Sequence, residues 1–347
     1  MQTILSPFAR YGNIHIAHRN NLTLAQINMP DQTPPHETTA SCERYTFTIF
    51  IPTYNRAYVL GRALESVEQL KYHDFEVVIV DDGSTDNTRA LVESWIGKHT
   101  FPIQYHWQEN QGKHAAHNAA LQLARGEFFL TLDSDDRILP NALNIINHHW
   151  NAIPADQRDQ FAGIAGLCLK DDGSLSGTPY PDHMHDASYL DMANLRSLRG
   201  EKRQAIRTAI LREFPYPRIE GEKHVRPSLI LKRMAHDYKL RFVNEPLEIN
   251  IHETDGICAN RHKYRMNNPK GLRLYFLEVI TLHASYATPK KLARSYRGYV
   301  RYSLHSGVGL AQQAREIKHM RLWLYAIADG TLCWLTDKLK MKFAKRR

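Results

Sequence analysis

Phe75-Glu-Val-Val-Ile-Val-Asp-Asp-Gly-Ser84 is the stretch that decides the fold. A nearly continuous apolar run without helical period stops at two acids and a glycine, as a strand covered on both faces does before a turn. Upstream, Phe47-Thr-Ile-Phe-Ile51 is a second such run, closed by Pro52-Thr-Tyr-Asn-Arg56. Between them, Val59, Leu60, Ala63, Leu64, Val67 and Leu70 form one stripe and predict a helix. Downstream, Ser84 or Thr85 caps a helix that turns Leu91, Val92, Trp95 and Ile96 inward. Ile103 to Trp107 is a third strand, Lys113 to Arg125 an alanine-rich helix and Glu127 to Leu132 a fourth strand. Pro140 opens the next helix. This βαβαβαβ order predicts an α/β fold with a mostly parallel central sheet and helices on both faces. Ligands of such sheets bind beyond the carboxyl ends of the strands. The polar clusters at 52–56, 81–84 and 133–136 all fall there.

Past residue 160 the pattern loosens. Phe161 to Leu169, Gln204 to Leu211 and Tyr238 to Ile251 read as strands, Lys170 to Ser174 as a turn, and Leu229 to Ala235 as a helix. Beyond Pro269, Leu272, Tyr275, Phe276, Val279 and Ile280 predict a helical extension. The expected organisation is an appendage and linker over 1–43, a domain over 44–268 with halves 44–150 and 151–268, and a helical basic region over 269–347.

The 347 residues carry 45 Lys and Arg against 36 Asp and Glu, a formal charge of +9, and 43% are hydrophobic. That profile excludes disordered, collagenous and low-complexity classes. Cys42, Cys168, Cys258 and Cys333 lie too far apart for a zinc ribbon or a disulfide framework, which favours a reducing, cytoplasmic setting. No signal peptide is expected. The apolar run Leu322 to Ala328 is cut by Asp329, short of the ~20 residues of a spanning helix. Residues 338–347 hold six cationic side chains and no acid. Such an end suits solvent or an anionic inner-membrane surface better than nucleic acid, and no nucleic-acid partner is expected.

Asp133-Ser134-Asp135-Asp136 places two carboxylates one residue apart just past a strand. They can converge on a divalent cation, which prefers oxygen ligands, or they form an acidic turn ahead of a helix. A cation there would neutralise the phosphates of a nucleotide-sugar and improve the leaving group. Asp81 and Asp82 can accept from a ribose hydroxyl or a pyrimidine N–H, or shape a capping turn. Tyr54 and Arg56 suit a base and a phosphate, and Lys113 a diphosphate. Dinucleotide binding needs glycines in the first turn, where this chain has Thr53-Tyr-Asn-Arg-Ala57. An aspartyl phosphatase would use an Asp-x-Asp loop on its first strand, unlike this one. His114 and His117 share a helix face without a third ligand at motif spacing, and His252 reads as a packing residue or as one completing a metal site after the last strand.

In this order, Pro52-Thr-Tyr-Asn-Arg56, Val78-Ile-Val-Asp-Asp-Gly-Ser84, Asn110-Gln-Gly-Lys113, Ala116-His-Asn118 and Leu132-Asp-Ser-Asp-Asp136 resemble family 2 glycosyltransferases of the GT-A fold. The likeness is strong over 45–150. It continues more weakly through Phe214 to Lys223, Phe242 to Pro246, Asp255-Gly256 and Asn268 to Gly271. That second part looks like a bacterial subgroup building capsular, exopolysaccharide or teichuronic-type polymers. The resemblance implies inverting transfer of a sugar from a nucleoside-diphosphate donor, most often UDP, to a hydroxyl of a saccharide or lipid-linked acceptor. It implies donor contacts from Pro52, Thr53, Tyr54, Asn55, Arg56, Asp81, Asp82, Lys113, Asn118, Asp133 and Ser134. Asp133 and Asp135 would hold Mn²⁺ or Mg²⁺. The chain departs from the family where a catalytic carboxylate is expected: Arg226-Pro227 stands there, and Glu222, or else Glu220, becomes the candidate base. The rival expectations are a non-catalytic sugar-nucleotide-binding subunit of a polysaccharide assembly and, more remotely, a metal-dependent phosphatase.

Overall fold

The computed structural model describes residues 44–195, 197–251, 253 and 261–344. The appendage at 1–43, His252, Asp255, Gly256 and the last three residues of the basic tail lie outside the described residues.

Strand β1 (Tyr45–Thr53) alternates as a strand covered on both faces must. Phe47, Ile49 and Ile51 join one core, while Phe50 joins the other. Every residue of β2 (Phe75–Asp81) is buried. With β3 (Ile103–Trp107) and β4 (Gly126–Thr131) they pair in parallel, in the order β3-β2-β1-β4. Helix α1 (Ala57–Glu68) closes one face. Helix α3 (Lys113–Leu123) closes the other through Ala116, Ala120 and Leu121. Helix α2 (Thr88–Trp95) completes this half. It starts later than expected, because the Ser84 hydroxyl accepts the Asn55 N–H instead of capping, and Ile96 lies past its end, exposed.

The sheet continues through β8 (Lys202–Arg207), β6 (Phe161–Lys170), β9 (Lys239–Asn250) and the short β5 (Arg137–Ile138); β7 (Asp186–Ser188) also pairs with β9. Strands β6 and β9 are parallel, whereas β5, β7 and β8 run antiparallel to their neighbours. The mostly parallel expectation therefore holds, with antiparallel members in the second half. The strand expected over Gln204 to Leu211 ends at Arg207. There Thr208 donates its hydroxyl to the Gly126 carbonyl at 2.7 Å and begins α6 (Thr208–Glu213). Helix α4 (Ala142–Asn151) starts two residues after Pro140, and α5 (Tyr189–Asn194) and α7 (Ser228–Met234) cover the second half.

Then come α8 (Arg261–Asn267), α9 (Pro269–Thr281), α10 (Pro289–His305), α11 (Leu310–Glu316) and α12 (Met320–Ala344). Tyr275 and Val279 of α9 pack in the same core as Phe50 and Val80, so packing runs across residue 269. Ile280, Tyr296, Tyr299, Val300, Trp323 and Ala326 form a separate cluster that ties α12 to α10. A Cβ at Gly330 would fall 2.6 Å from that of Val300, so these two helices meet without room for a side chain. Among the described residues, no helix is long and apolar enough to cross a membrane.

Candidate functional site

Parallel register brings Thr53, Asp81 and Trp107 side by side at the strand ends. The loops that follow therefore share one edge of the sheet. Asn55 takes a left-handed conformation, φ 53°, which short amide side chains tolerate. Its N–H donates to Ser84 Oγ at 2.8 Å, and its Oδ1 accepts the Thr85 N–H at 2.7 Å. Asn55 thus locks the first loop to the second. Asp81 is fully buried and accepts from the Ser84 N–H at 2.8 Å and the Tyr105 hydroxyl at 2.7 Å. It shapes the turn and does not face the cleft, contrary to its expected donor contact.

Asp82 anchors the third loop. It accepts from Gln108 Nε2 at 2.7 Å, the Gln111 N–H at 2.9 Å and the Gly112 N–H at 2.7 Å. A carboxylate offers about four lone-pair positions, so Asp82 Oδ2 retains one for a ligand. Gly112 has φ 93°, and a Cβ there would lie 2.0 Å from the Lys223 carbonyl oxygen. Only glycine lets this loop run under residue 223 and launch α3 at Lys113. Lys113 Nζ donates to Asp133 Oδ1, and Arg56 Nη1 stands 3.9 Å from Asp135 Oδ2. Tyr54 is exposed beside these groups, whereas the buried Thr53 hydroxyl has no hydrogen-bond partner among the described residues.

The three acids of the fourth loop differ in role. Asp136 turns inward, accepting from Asn250 Nδ2 at 2.9 Å and the Ile251 N–H at 2.8 Å, with Arg203 at 3.4 Å. Arg203 also pairs with the buried Glu248. This network pins the loop from below and leaves Asp133 and Asp135 turned outward, with Ser134 buried between them. Burial opposes ionisation of Asp133, but the charges of Lys113, Arg203 and Arg56 hold its carboxyl below the usual value. Asp135 is pushed up by burial and by the like charges of Asp133 and Asp136, which outweigh the Arg56 charge and a backbone N–H that favour its ionised form. Two crowded oxygen donors of this kind fit a divalent cation completed by phosphate oxygens. No group of three or more metal-binding side chains occurs among the described residues.

Two expected residues serve other ends. Asn118 clamps the backbone of Tyr216, donating to its carbonyl at 2.8 Å and accepting its N–H at 3.0 Å. Glu222, expected as the base, is 7% exposed and accepts the N–H groups of Lys270 at 2.5 Å and Gly271 at 2.6 Å. Both its oxygens are engaged at the N-terminus of α9, where a carboxylate is held by free N–H groups and the helix dipole. Glu220 is exposed on the preceding turn, and its carbonyl accepts Lys270 Nζ at 3.2 Å. Sequence patterns missed Arg203, Glu248 and Asn250, which lie inside ordinary strands. They also missed His224 and Tyr264, whose rings meet edge to face at 6.0 Å. Burial, with the charges of His114, Arg226, Arg265 and Lys113, pushes His224 down to about 4, so its imidazole is neutral at neutral pH.

Residues 48–162 match the family model described as glycosyl transferase family 2. A Campylobacter jejuni GalNAc(5)-diNAcBac-PP-undecaprenol beta-1,3-glucosyltransferase is 32% identical over 132 residues, 37% of this chain and 40% of that protein. A Staphylococcus aureus poly(ribitol-phosphate) beta-N-acetylglucosaminyltransferase, TarS, is 36% identical over 113 residues, 31% of this chain and 20% of that one. The chain thus matches well under half the length of these relatives. Staphylococcus aureus TarS 1–349 in complex with UDP-GlcNAc superposes with a TM-score of 0.52 and 19% identity, covering 82% of this chain and 80% of that chain. The Pyrobaculum calidifontis mannosyltransferase PcManGT, in complex with GDP-Man and Mn²⁺, gives 0.52 and 20%, covering 85% and 88%. At these identities the shared property is the GT-A fold.

Proposed function

We propose, with residues 48–162 as a glycosyl transferase family 2 domain for premise, that this chain is an inverting glycosyltransferase. It moves a sugar from a nucleoside-diphosphate donor, UDP first, to a hydroxyl of a saccharide carried on a lipid diphosphate during surface-polysaccharide synthesis. The observation that carries this is the meeting of Lys113 with Asp133 and of Arg56 with Asp135 at the strand ends. Two cations beside two outward carboxylates suit a diphosphate and a divalent ion together. The first two relatives' names both specify phosphate-bearing acceptors.

Asp133 and Asp135 would hold Mn²⁺ or Mg²⁺, which supplies neutralisation of the leaving diphosphate when bound. Lys113 and Arg56 stabilise the same developing charge from the protein side. Tyr54 offers its exposed ring to the base, and Asp82 its remaining lone pair to an N–H of the pyrimidine. The acceptor's proton needs a neutral or anionic recipient. His224 is our candidate for this: its imidazole is neutral, and it follows Lys223, whose backbone passes over Gly112 ahead of Lys113.

Contact with the cytoplasmic face of an anionic membrane is part of this reading. Leu324, Tyr325, Leu332, Leu335, Leu339 and Phe343 of α12 are exposed on the side away from Trp323 and Ala326. Arg321, Lys338 and Lys342 border that side, the exposed Asp329 stands 3.6 Å from Arg297, and Asp337 is buried against Arg301 and His305. An apolar helix face bordered mainly by cations, with its exposed acid near an arginine, fits the interface of anionic lipid.

Release of UDP from a panel of UDP-sugars with Mn²⁺ tests the function. The expected result is slow turnover without acceptor, lost in Asp135→Ala. Saturable UDP affinity without any turnover would leave a binding subunit. Hydrolysis of simple phosphate esters without nucleotide would make the chain a phosphatase.

A further inference from the structure

Three cations converge where the candidate site has no counterpart for them. Arg226 lies on the loop ahead of α7, Lys232 in α7 and Lys291 in the first turn of α10; all three surround Tyr275 of α9. The Arg226 guanidinium stands 4.2 Å, and the Lys232 ammonium 4.6 Å, from the centroid of the Tyr275 ring. Among the described residues, Lys291 donates only to neutral oxygens, the Ala193 carbonyl at 2.8 Å and Asn194 Oδ1 at 2.6 Å. Lys232 is 4% exposed, and Arg226 and Lys291 are half-buried.

Among the described residues, no carboxylate pairs with any of these three cations. The contrast with their surroundings is sharp. Arg233 has Glu278, Arg273 has Glu316 and Arg301 has Asp337. Burying a cation without an acid is costly. The neighbours register it: burial and then the Lys232 charge push Lys291 down. Although burial opposes it, Arg226 and Lys232 draw the Tyr275 phenol below its usual value. A fold does not keep such an arrangement for stability, since an apolar side chain at 232 would cost less.

The cluster adjoins the donor end of the cleft. The buried Tyr216 has its backbone clamped by Asn118 of α3, the helix that begins at Lys113. Its hydroxyl donates to the Pro227 carbonyl at 3.0 Å, next to Arg226. Arg226 in turn acts on both Tyr189 and His224.

We propose that Arg226, Lys232 and Lys291 form the subsite for the diphosphate of the acceptor's lipid carrier. The inference rests on the transferase reading above and names the residues that select its acceptor. Three cations within one side chain's reach of each other match the adjacent charges of a diphosphate diester. A polyol-phosphate polymer spaces single charges further apart and would leave part of the cluster unmatched. Charge-assisted contacts from Arg and Lys are the strong hydrogen bonds of phosphate recognition.

The test is calorimetric titration of farnesyl-diphosphate-linked N-acetylglucosamine into the full chain saturated with UDP and Mn²⁺. The octyl glycoside of the same sugar and a short poly(ribitol phosphate) serve as parallel probes. Arg226→Gln and Lys232→Met are each expected to weaken the diphosphate probe by about tenfold or more. Arg226→Lys should recover part of that loss, and UDP affinity and octyl glycoside binding should stay unchanged. Equal weakening of the octyl glycoside would reduce the cluster to a packing role. An unchanged diphosphate probe, or a preference for the ribitol polymer lost in the variants, would overturn the assignment. Absent UDP binding by the unaltered chain would instead defeat the transferase reading itself.

Discussion

Glu222→Gln separates a helix anchor from a catalytic base. In the native chain each oxygen of Glu222 takes one backbone N–H at the start of α9. Glutamine can accept only one of them, and its amide then points N–H groups at the other. Leaving one buried donor unpaired costs about 1–3 kcal/mol. Loss of the negative charge at the helix N-terminus costs about 0.3–1 kcal/mol more. Relief of the burial that raises the Glu222 carboxyl offsets part of this. The net expectation is a loss of about 2 kcal/mol, or about 3 °C in Tm for a chain of this length. Thermal unfolding followed by circular dichroism measures the first quantity, and acceptor-dependent UDP release per folded molecule the second. The account expects the Tm to fall while turnover stays within a few-fold of native. An unchanged Tm with turnover reduced by about a thousandfold would restore Glu222 as the base and refute the anchor.

Asp82→Ala releases the loop at 108–112 from three hydrogen bonds. Titration should show UDP affinity weakened by about tenfold, with smaller loss in Asp82→Asn. His117 is held down to about 3 by burial and by Lys113, against 6.5 in an unfolded chain. Its stabilising contribution is therefore complete above pH 6.5 and is lost as pH falls toward 3, at up to about 1.4 kcal/mol per pH unit. Urea unfolding between pH 6.5 and 4 should be less acid-sensitive in His117→Gln; an identical slope would contradict the burial argument. Leu332→Glu with Leu339→Glu should abolish sedimentation with vesicles rich in anionic lipid and leave the Tm within about 2 °C, as exposed positions do. Unchanged sedimentation would remove α12 from the membrane contact.

The first half of the sheet was legible because β1, β2 and β4 are apolar runs that end in turns, while the edge strand β3 shows itself by alternation, Ile103 and Tyr105 packing inward. Antiparallel β8 was blurred because Ala205 and Ile206 continue into Ile210 and Leu211, one apolar series that crosses from strand to helix at Thr208. Asp133, Asp135, Lys113 and Arg56 were visible as residue types in loops at strand ends. Asp81 and Asn118 were visible too, but their local role could not be separated from ligand binding, since both chemistries use the same oxygens. The partners of Asp136 come from strands more than sixty residues away, and nothing in Arg203 or Glu248 as sequence marks them as its support. The anchoring contacts of Glu222 were hidden for a similar reason. Its partner is the beginning of a helix 48 residues later, which no local pattern discloses.

Calorimetric titration of UDP, with and without Mn²⁺, into the native chain, Lys113→Ala and Asp135→Asn tests most directly whether the strand-end loops form one diphosphate site. The account predicts saturable binding that Mn²⁺ strengthens in the native chain, weakened in Lys113→Ala and no longer strengthened by Mn²⁺ in Asp135→Asn. Binding that is absent in the native chain, or equal in all three proteins, would contradict it.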